Sequence, residues 1–189
     1  DVYKRQLKCR SLVIATGGLS IPTMGATGFG YDIAKQFGLK VTARQASLVP
    51  FTFKGEILTQ MQALAGLSLE VSVSCNNQSF KEALLFTHKG LSGPAILQIS
   101  SYWRQGDAIT INYLPNDNVD THLNQWQQSG EKSTLKNLLA RHLPKRFVTD
   151  WLAKQEGIAA ILETPIAQLS NAQKSVSYTH LTLPTKPSV

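Results

Sequence analysis

The sequence predicts an α/β protein with three consecutive parts: a parallel-sheet α/β region, a β-barrel-like region and an all-helical region. Three changes in the spacing of apolar residues predict this order. Residues 11–15 form a largely apolar run, which is typical of a strand buried on both faces of a parallel sheet. Residues 67–73 alternate apolar and polar side chains, as a half-buried strand does. From residue 116 onward, apolar residues recur at helical spacing.

The first part, residues 7–47, reads as a strand, a glycine-rich turn, a helix and a short returning strand. We expect the helix to begin near Gly30 and to carry Ile33, Ala34 and Phe37 on its inner side. Gly38 is expected to end it, because glycine tolerates the left-handed position that follows a helix. Residues 39–43 then alternate as a second strand.

The second part, residues 48–115, is predicted to be mostly β. Asn76 and Asn77 supply a hairpin turn after the strand at 67–73, and residues 79–86 return as its partner. A helix is predicted at residues 94–101, and residues 108–113 form another alternating strand. Several short strands at this spacing indicate a small sheet or barrel.

The third part, residues 116–174, is predicted to be a small helical bundle. Amphipathic stretches are centred on residues 123–126, 135–142, 148–155 and 165–169. Ser133 is the expected N-cap of the second stretch, which must stop before Pro144. The Leu and Trp residues of these stretches are interpreted as core.

Both ends of the chain have the character of translated sequencing-library adapter. Val2–Gln6 back-translates to GTG TAT AAG AGA CAG, and the reverse complement of this string encodes Val176–Thr179 in another frame. One short DNA duplex, translated from its two opposite strands, can therefore encode both ends. We expect residues 1–6 and 175–189 to be adapter, to pack poorly and to carry no site, which leaves residues 7–174 as an internal piece of a longer protein.

The composition excludes few classes of protein. The net charge of +7 falls to +5 without the two ends, and no Lys/Arg cluster stands out along the chain. Charge therefore does not argue for nucleic acid. Cys9 and Cys75 form no CxxC pair, so no metal site is expected. No apolar run approaches the roughly 20 residues of a membrane helix. We expect a cytoplasmic protein with no membrane partner.

Two groups of glycines suggest a ligand near the first strand. Gly17 and Gly18 follow the strand, where open α/β sheets bind their ligands. Gly25, Gly28 and Gly30 then lead into a helix N-terminus, which suits a phosphate group. These glycines do not form the GxGxxG fingerprint. The pattern alone leaves nucleotide binding and a purely structural loop open.

The segments LVIATGGLSIPTMGATGFGYDIAKQFG, SLVPF and LLFTHKGLSGPAILQIS resemble the BaiN-like (YhiN-type) family of NAD(P)/FAD-dependent oxidoreductases. The resemblance covers most of residues 7–174. It implies part of an FAD-binding Rossmann-like domain, with inserted β and helical subdomains at 48–115 and 116–174. It implies FAD as cofactor and NAD(P)H as electron donor. The candidate cofactor-binding residues are Ala15, Thr16, Gly17, Gly18, Gly28, Gly30, Gly90, Ser92 and Gly93.

The loop at residues 86–94, FTHKGLSGP, is the second candidate site. Ser92 or Gly93 can cap a helix that begins at Pro94, where proline is well tolerated. His88 is the candidate catalytic residue, because an imidazole can donate a proton near neutral pH. The alternative is a turn that holds two β elements together. His122 and His142 are interpreted as residues of the surface or the edge of the core.

The resemblance predicts an enzyme that passes hydride from NAD(P)H through flavin to an unsaturated small organic molecule, with no nucleic-acid partner. The isolated chain is expected to be inactive, since most contacts to FAD would come from elsewhere in the longer protein. Two alternatives remain open. One is a nucleotide- or RNA-binding module without redox activity, and the other is a structural insert that needs no ligand.

Overall fold

A computed structural model describes residues 7–116, 119–185 and 187, and gives only the backbone course of residues 120, 178–180 and 182–184. Two compact units divide the chain, Asp1–Gln45 and Ala46–Val189. The division into domains that was expected from the sequence stays a prediction.

The first unit contains one α-helix, α1 (Phe29–Gln36), preceded by a 3-10 turn at Pro22–Met24. Gly38 has a φ of 72°, and the amides of Gly38 and Leu39 donate to the carbonyls of Lys35 and Ala34. This is the expected glycine-terminated helix end.

The two strands predicted in this unit are not formed among its described residues. A strand needs neighbouring strands to satisfy its backbone groups, and none pairs with residues 11–15 here. Leu12 and Val13 are accordingly 75% and 83% exposed. The Rossmann-like part of the predicted fold is therefore not shown.

The second unit carries one six-stranded antiparallel sheet. Its strands are β1 (Phe51–Thr52), β2 (Ser68–Cys75), β3 (Gln78–Thr87), β4 (Gly90–Ser92), β5 (Ile109–Asn112) and β6 (Thr182–Thr185), in the order β1-β4-β3-β2-β5-β6. The helices α2 (Gly55–Gln62) and α3 (Pro94–Ser100) lie between strands in the chain. The predicted mixture of a small sheet and an interrupting helix is confirmed.

The β2–β3 hairpin follows the sequence prediction closely. Cys75 pairs with Gln78, and Asn76 and Asn77 between them have φ values of 48° and 63°. Positive φ values at both central residues are typical of a type I′ turn, whose backbone twist matches the right-handed twist of the two strands. The Asn76 amide also donates to Asp107, and this hydrogen bond lowers the pKa of that carboxyl.

The helical part contains α4 (Val119–Gln128), α5 (Leu135–Leu139), α6 (Lys145–Asp150), α7 (Ala159–Leu162) and α8 (Asn171–Leu181), with 3-10 turns at Leu152–Lys154 and Ile166–Gln168. The N-cap of α5 is Thr134 and not Ser133, because the Thr134 hydroxyl accepts from the Asn137 amide. The Ser133 hydroxyl donates to Glu131 instead, at 2.7 Å.

A single hydrophobic core joins the sheet to the helices. The ring of Phe147 on α6 lies 4.7 Å from that of Tyr113 after β5 and 6.1 Å from that of Phe86 on β3. Trp151 packs against Phe86 at 5.9 Å. Because these aromatic side chains are buried between the sheet and α6, the two parts stabilise each other.

The expectation that residues 175–189 pack poorly is wrong for the part of them that is described. Ser177 and Leu181 in α8 are fully buried, and β6 pairs with β5 from Ile109↔Thr185 to Asn112↔Thr182. Strand β5 would otherwise present an unpaired edge, and backbone pairing tolerates many side chains. Residues 1–6 lie outside the described ranges.

Within those ranges, no helix is long and apolar enough to cross a membrane.

Candidate functional site

The start of α1 packs closely against the stretch that follows residues 11–15. A Cβ on Gly30 would lie 2.8 Å from the Thr16 hydroxyl oxygen and 3.8 Å from a methyl carbon of Ile14. Only glycine at position 30 permits this approach without displacing Thr16. Gly28 is the N-cap of α1. Gly30 therefore allows the N-terminal end of α1 to pack against residues 15–18, the ATGG stretch.

A pocket of about 710 Å³ lies between the two segments. This volume falls within the range of roughly 300–1,000 Å³ that is typical of small-molecule sites. Most of its lining is apolar, and the hydroxyl of Thr16 is among its polar groups. Of the predicted cofactor residues, the pocket is lined by Ala15, Thr16, Gly17, Gly18 and Gly30. Gly28 does not line it.

The residues around this pocket fit a flavin. Gly17 has a φ of 71°, and a Cβ placed on it would meet no atom within 4 Å. The backbone there faces open space, which a bulky ligand can approach closely. Apolar walls with a few polar groups suit a flat aromatic ring system.

Tyr31 and Arg44 lie at or beside this pocket and were not among the site residues expected from the sequence. Tyr31 lines the pocket, and the Arg44 guanidinium carbon lies 4.7 Å from the centre of its ring. This cation–π contact holds a positive charge next to the pocket. Arg44 follows the helix by several residues and belongs to no recognisable motif, so only the folded chain reveals it.

The loop between β3 and β4 forms a tightly bonded hairpin tip. The Thr87 hydroxyl oxygen accepts from the Lys89 and Gly90 amides at 3.3 and 3.1 Å. The Gln62 side chain donates to the His88 carbonyl at 3.0 Å, and the Phe53 amide donates to the Lys89 carbonyl. The side chains of His88 and Lys89 are exposed. The backbone is therefore held in place while both side chains face solvent.

The glycines of this loop have a packing role. A Cβ on Gly90 would lie 2.3 Å from the Phe51 carbonyl oxygen, and one on Gly93 would lie 2.7 Å from that of Ala83. Gly93 is the N-cap of α3, one of the two expected positions. Ser92 pairs with Leu85 in the sheet. Close strand packing accounts for both glycines, and the cofactor role of Gly90, Ser92 and Gly93 stays a prediction.

Helix α2 gathers cationic side chains from three distant places in the sequence. Lys54 is its N-cap, and the hairpin tip with Lys89 is bonded to its last turn through Gln62. The Arg146 guanidinium on α6 donates to the carbonyls of Ala63 and Ala65 just beyond its end. We call Lys54, His88, Lys89 and Arg146 the basic edge.

The cationic side chains of the basic edge outnumber the acidic side chains beside them. All four of its side chains are exposed. Within the described part of the chain, Lys54 and Lys89 form no ion pair, whereas Arg146 lies 3.8 Å from Asp150. Glu56 in the first turn of α2 is the acidic neighbour along the helix. A surface that concentrates cations in this way can attract a polyanion.

Comparisons with known proteins identify relatives of this chain. Residues 45–180 match the model of a family described as the HI0933-like protein barrel and H2TH domain. A protein of Haemophilus influenzae named ribosomal RNA dihydrouridine synthase is 46% identical over 174 residues, which cover 92% of this chain and 42% of that protein. An Escherichia coli K12 protein of the same name is 52% identical over 149 residues, 78% of this chain and 37% of that protein. The chain thus spans less than half the length of these relatives.

Proposed function

The chain belongs to the family of HI0933-like barrel and H2TH domain proteins, and on that premise we propose that it is part of an enzyme that reduces uridine in ribosomal RNA. The two curated relatives carry this activity in their names. The barrel and the helical domain of the family description agree with the predicted β-barrel-like and helical parts.

Two expectations from the sequence are wrong. A small organic substrate and the absence of a nucleic-acid partner both conflict with relatives named for ribosomal RNA. The relatives' names favour RNA, the ligand of the RNA-binding alternative, over a small organic molecule. The charge pattern did not predict nucleic-acid binding, because the basic residues are spread along the sequence. Lys54, Lys89 and Arg146 come together around α2 only in the folded protein.

The basic edge is the observation that carries the proposal. RNA binding depends strongly on cations that neutralise phosphates, and the edge presents Lys54 and Lys89 without ion-pair partners among the described residues. It also includes the hairpin tip with His88, whose backbone is fixed by Gln62. An RNA strand held at the edge would therefore lie against the candidate catalytic histidine.

The named reaction defines what the protein must provide. Dihydrouridine differs from uridine by two hydrogens added across the C5–C6 double bond of the base, which requires a hydride and a proton. A flavin in its reduced form would supply the hydride when bound, and would itself be oxidised by two electrons. The pocket residues Ala15–Gly18 and Gly30 of the first unit would hold the flavin. In the second unit, His88 is the candidate proton donor, because an imidazole can donate a proton near neutral pH. The resemblance implies NAD(P)H as electron donor, whereas the relatives' names imply no particular donor.

Deleting the gene that encodes this chain is expected to remove dihydrouridine from the ribosomal RNA of its host. Purified ribosomal RNA would be digested to nucleosides, and dihydrouridine would be measured by mass spectrometry. Complementation with the intact gene should restore the modified nucleoside, and the His88→Ala gene should restore it more slowly. Unchanged dihydrouridine in the deletion strain would refute the activity, and the RNA-binding alternative without redox chemistry would then remain.

Neutralising the basic edge is expected to weaken RNA binding and its dependence on salt. The variant combines Lys54→Ala, Lys89→Ala and Arg146→Gln, where glutamine retains an amide donor for the α2 carbonyls. Three lost phosphate contacts should lower the slope of log affinity against log salt by about 2 for single-stranded RNA. Fluorescence anisotropy of a labelled oligoribonucleotide measures this slope.

The matched control for the basic edge is Lys136→Ala. Lys136→Ala removes one positive charge, as each substitution in the basic edge does, but the Lys136 ammonium is already paired with Glu163 at 2.6 Å. It is therefore not available to a phosphate, and its removal should change the slope little. Equal slopes for the triple variant and the wild type would show that RNA binds elsewhere.

A further inference from the structure

A second, smaller pocket lies where the sheet meets the helical part. Its volume is about 110 Å³, and it is lined by residues of β2, of the segment after β5 and of the link between α5 and α6. Tyr113, Leu114 and Leu143 form an apolar floor, since all three are buried. Burial also raises the pKa of the Tyr113 hydroxyl, which therefore stays protonated. The pocket is smaller than the engineered apolar cavity of about 150 Å³ that accepts benzene, so it can take the edge of a flat ring while the rest of the ring stays at the rim.

The rim of this pocket is polar and exposed. Glu70, Asn116 and His142 line it and are all accessible to solvent. The Asn116 amide donates to the Glu70 carboxylate at 3.0 Å. Lys81 donates to the Asn116 carbonyl oxygen and lies 3.7 Å from the Glu70 carboxylate. These rim groups are bonded to one another, but the Glu70 carboxylate and the Lys81 ammonium each keep further capacity to accept or donate a hydrogen bond.

His142 belongs both to this rim and to a cluster of three rings. Its ring centre lies 4.8 Å from that of His122 and 5.5 Å from that of Trp126. His122 and Trp126 are themselves stacked at 5.4 Å. The two histidines were expected to lie at the surface or the core edge, and both do so, with His142 exposed and His122 half-buried. The sequence did not indicate that they meet.

We propose that this pocket binds one unpaired nucleobase of the RNA, with the ring of His142 against the base. The inference rests on the proposed function for the identity of the polymer. Proteins recognise single-stranded RNA by stacking splayed bases on aromatic side chains and hydrogen-bonding their edges. An apolar floor, a ring at the mouth and adjacent donor and acceptor groups match the apolar faces and polar edge of a base. Phosphate binding alone would need neither the floor nor the Glu70 carboxylate.

The test compares single-stranded and duplex RNA with the 189-residue chain. One labelled 12-nucleotide RNA of mixed sequence is used alone and annealed to its complement, and affinity is measured by fluorescence anisotropy. His142→Ala should weaken binding of the single strand about tenfold, the typical loss when a stacked aromatic residue is removed. Binding of the duplex should not change, because its bases are already paired. Lys89→Ala, in the basic edge, should weaken both.

Photocrosslinking gives a second measurement that does not depend on a variant. The same RNA with 4-thiouridine at successive positions should crosslink to a peptide containing His142 or Tyr113. Equal single-strand affinities of His142→Ala and the wild type would overturn the base site, as would crosslinks confined to other peptides or no binding of RNA by the chain. None of these outcomes affects the dihydrouridine measurement, so the proposed activity stands or fails separately.

Discussion

Gly17→Val is expected to strip flavin from the complete protein that carries this chain, with retention falling more than about tenfold, equivalent to over 1.4 kcal/mol. Gly17 lines the 710 Å³ pocket, and a Cβ there meets no protein atom within 4 Å. The branched side chain would therefore project into the space that the cofactor needs. The measurement is the visible flavin absorbance per protein after purification and after incubation with added FAD.

Gly25→Val is the matched control for this prediction. Gly25 has a φ of 87° and also meets no atom within 4 Å of a Cβ, but it does not line the pocket. Both valines carry a similar backbone strain of about 1–2 kcal/mol. Flavin should be retained by Gly25→Val and lost by Gly17→Val. Equal retention by the two variants would show that the ATGG stretch does not hold the cofactor.

Gly93→Ala is expected to destabilise the second unit by about 2–5 kcal/mol, from a strained backbone and overpacking together. Gly93 has φ 93° and ψ 165°, a region that only glycine occupies readily. A Cβ there would lie 2.7 Å from the Ala83 carbonyl oxygen and 2.9 Å from the Leu85 amide nitrogen. These are backbone atoms of the central strand β3, which cannot move aside as a flexible side chain can.

Gly106→Ala is the control that separates the cost of backbone strain from the cost of overpacking. Gly106 has a φ of 98°, but a Cβ there meets nothing within 4 Å. Its substitution should cost only the backbone strain, about 1–3 kcal/mol. Urea unfolding followed by circular dichroism measures both variants. A Gly93→Ala protein as stable as Gly106→Ala would mean that the β3–β4 packing tolerates a methyl group.

Local patterns were sufficient where the structure depends on neighbours in the chain. The β2–β3 hairpin follows from period-two alternation on both sides of Asn76-Asn77, and the end of α1 follows from Gly38. Both features are decided by residues within a few positions of each other. Helix α3 likewise begins at Pro94, as its sequence predicts.

The same patterns failed where a partner strand decides the outcome. Residues 11–15 have the composition of a buried strand, yet no described residue pairs with them. Conversely, Thr182–Thr185 were assigned to a terminus without a role in the fold, and they pair with β5. Hydrogen bonding between strands depends on which backbone edge is available, and this is not encoded in the strand's own residues.

The sequence by itself indicated a flavoprotein family, through ATGG and FTHKGLSGP, and the order of β and helical regions after residue 47. The family match at residues 45–180 covers the second motif and not the first. Only the tertiary structure decided which of the motif residues share a pocket, and that Gly90 and Gly93 serve strand packing. It also brought Lys54, Lys89 and Arg146 around α2, and His142 beside His122 and Trp126. The physical reason is the same in each case: charge and ring clusters depend on distances across the fold, which spacing along a chain does not encode.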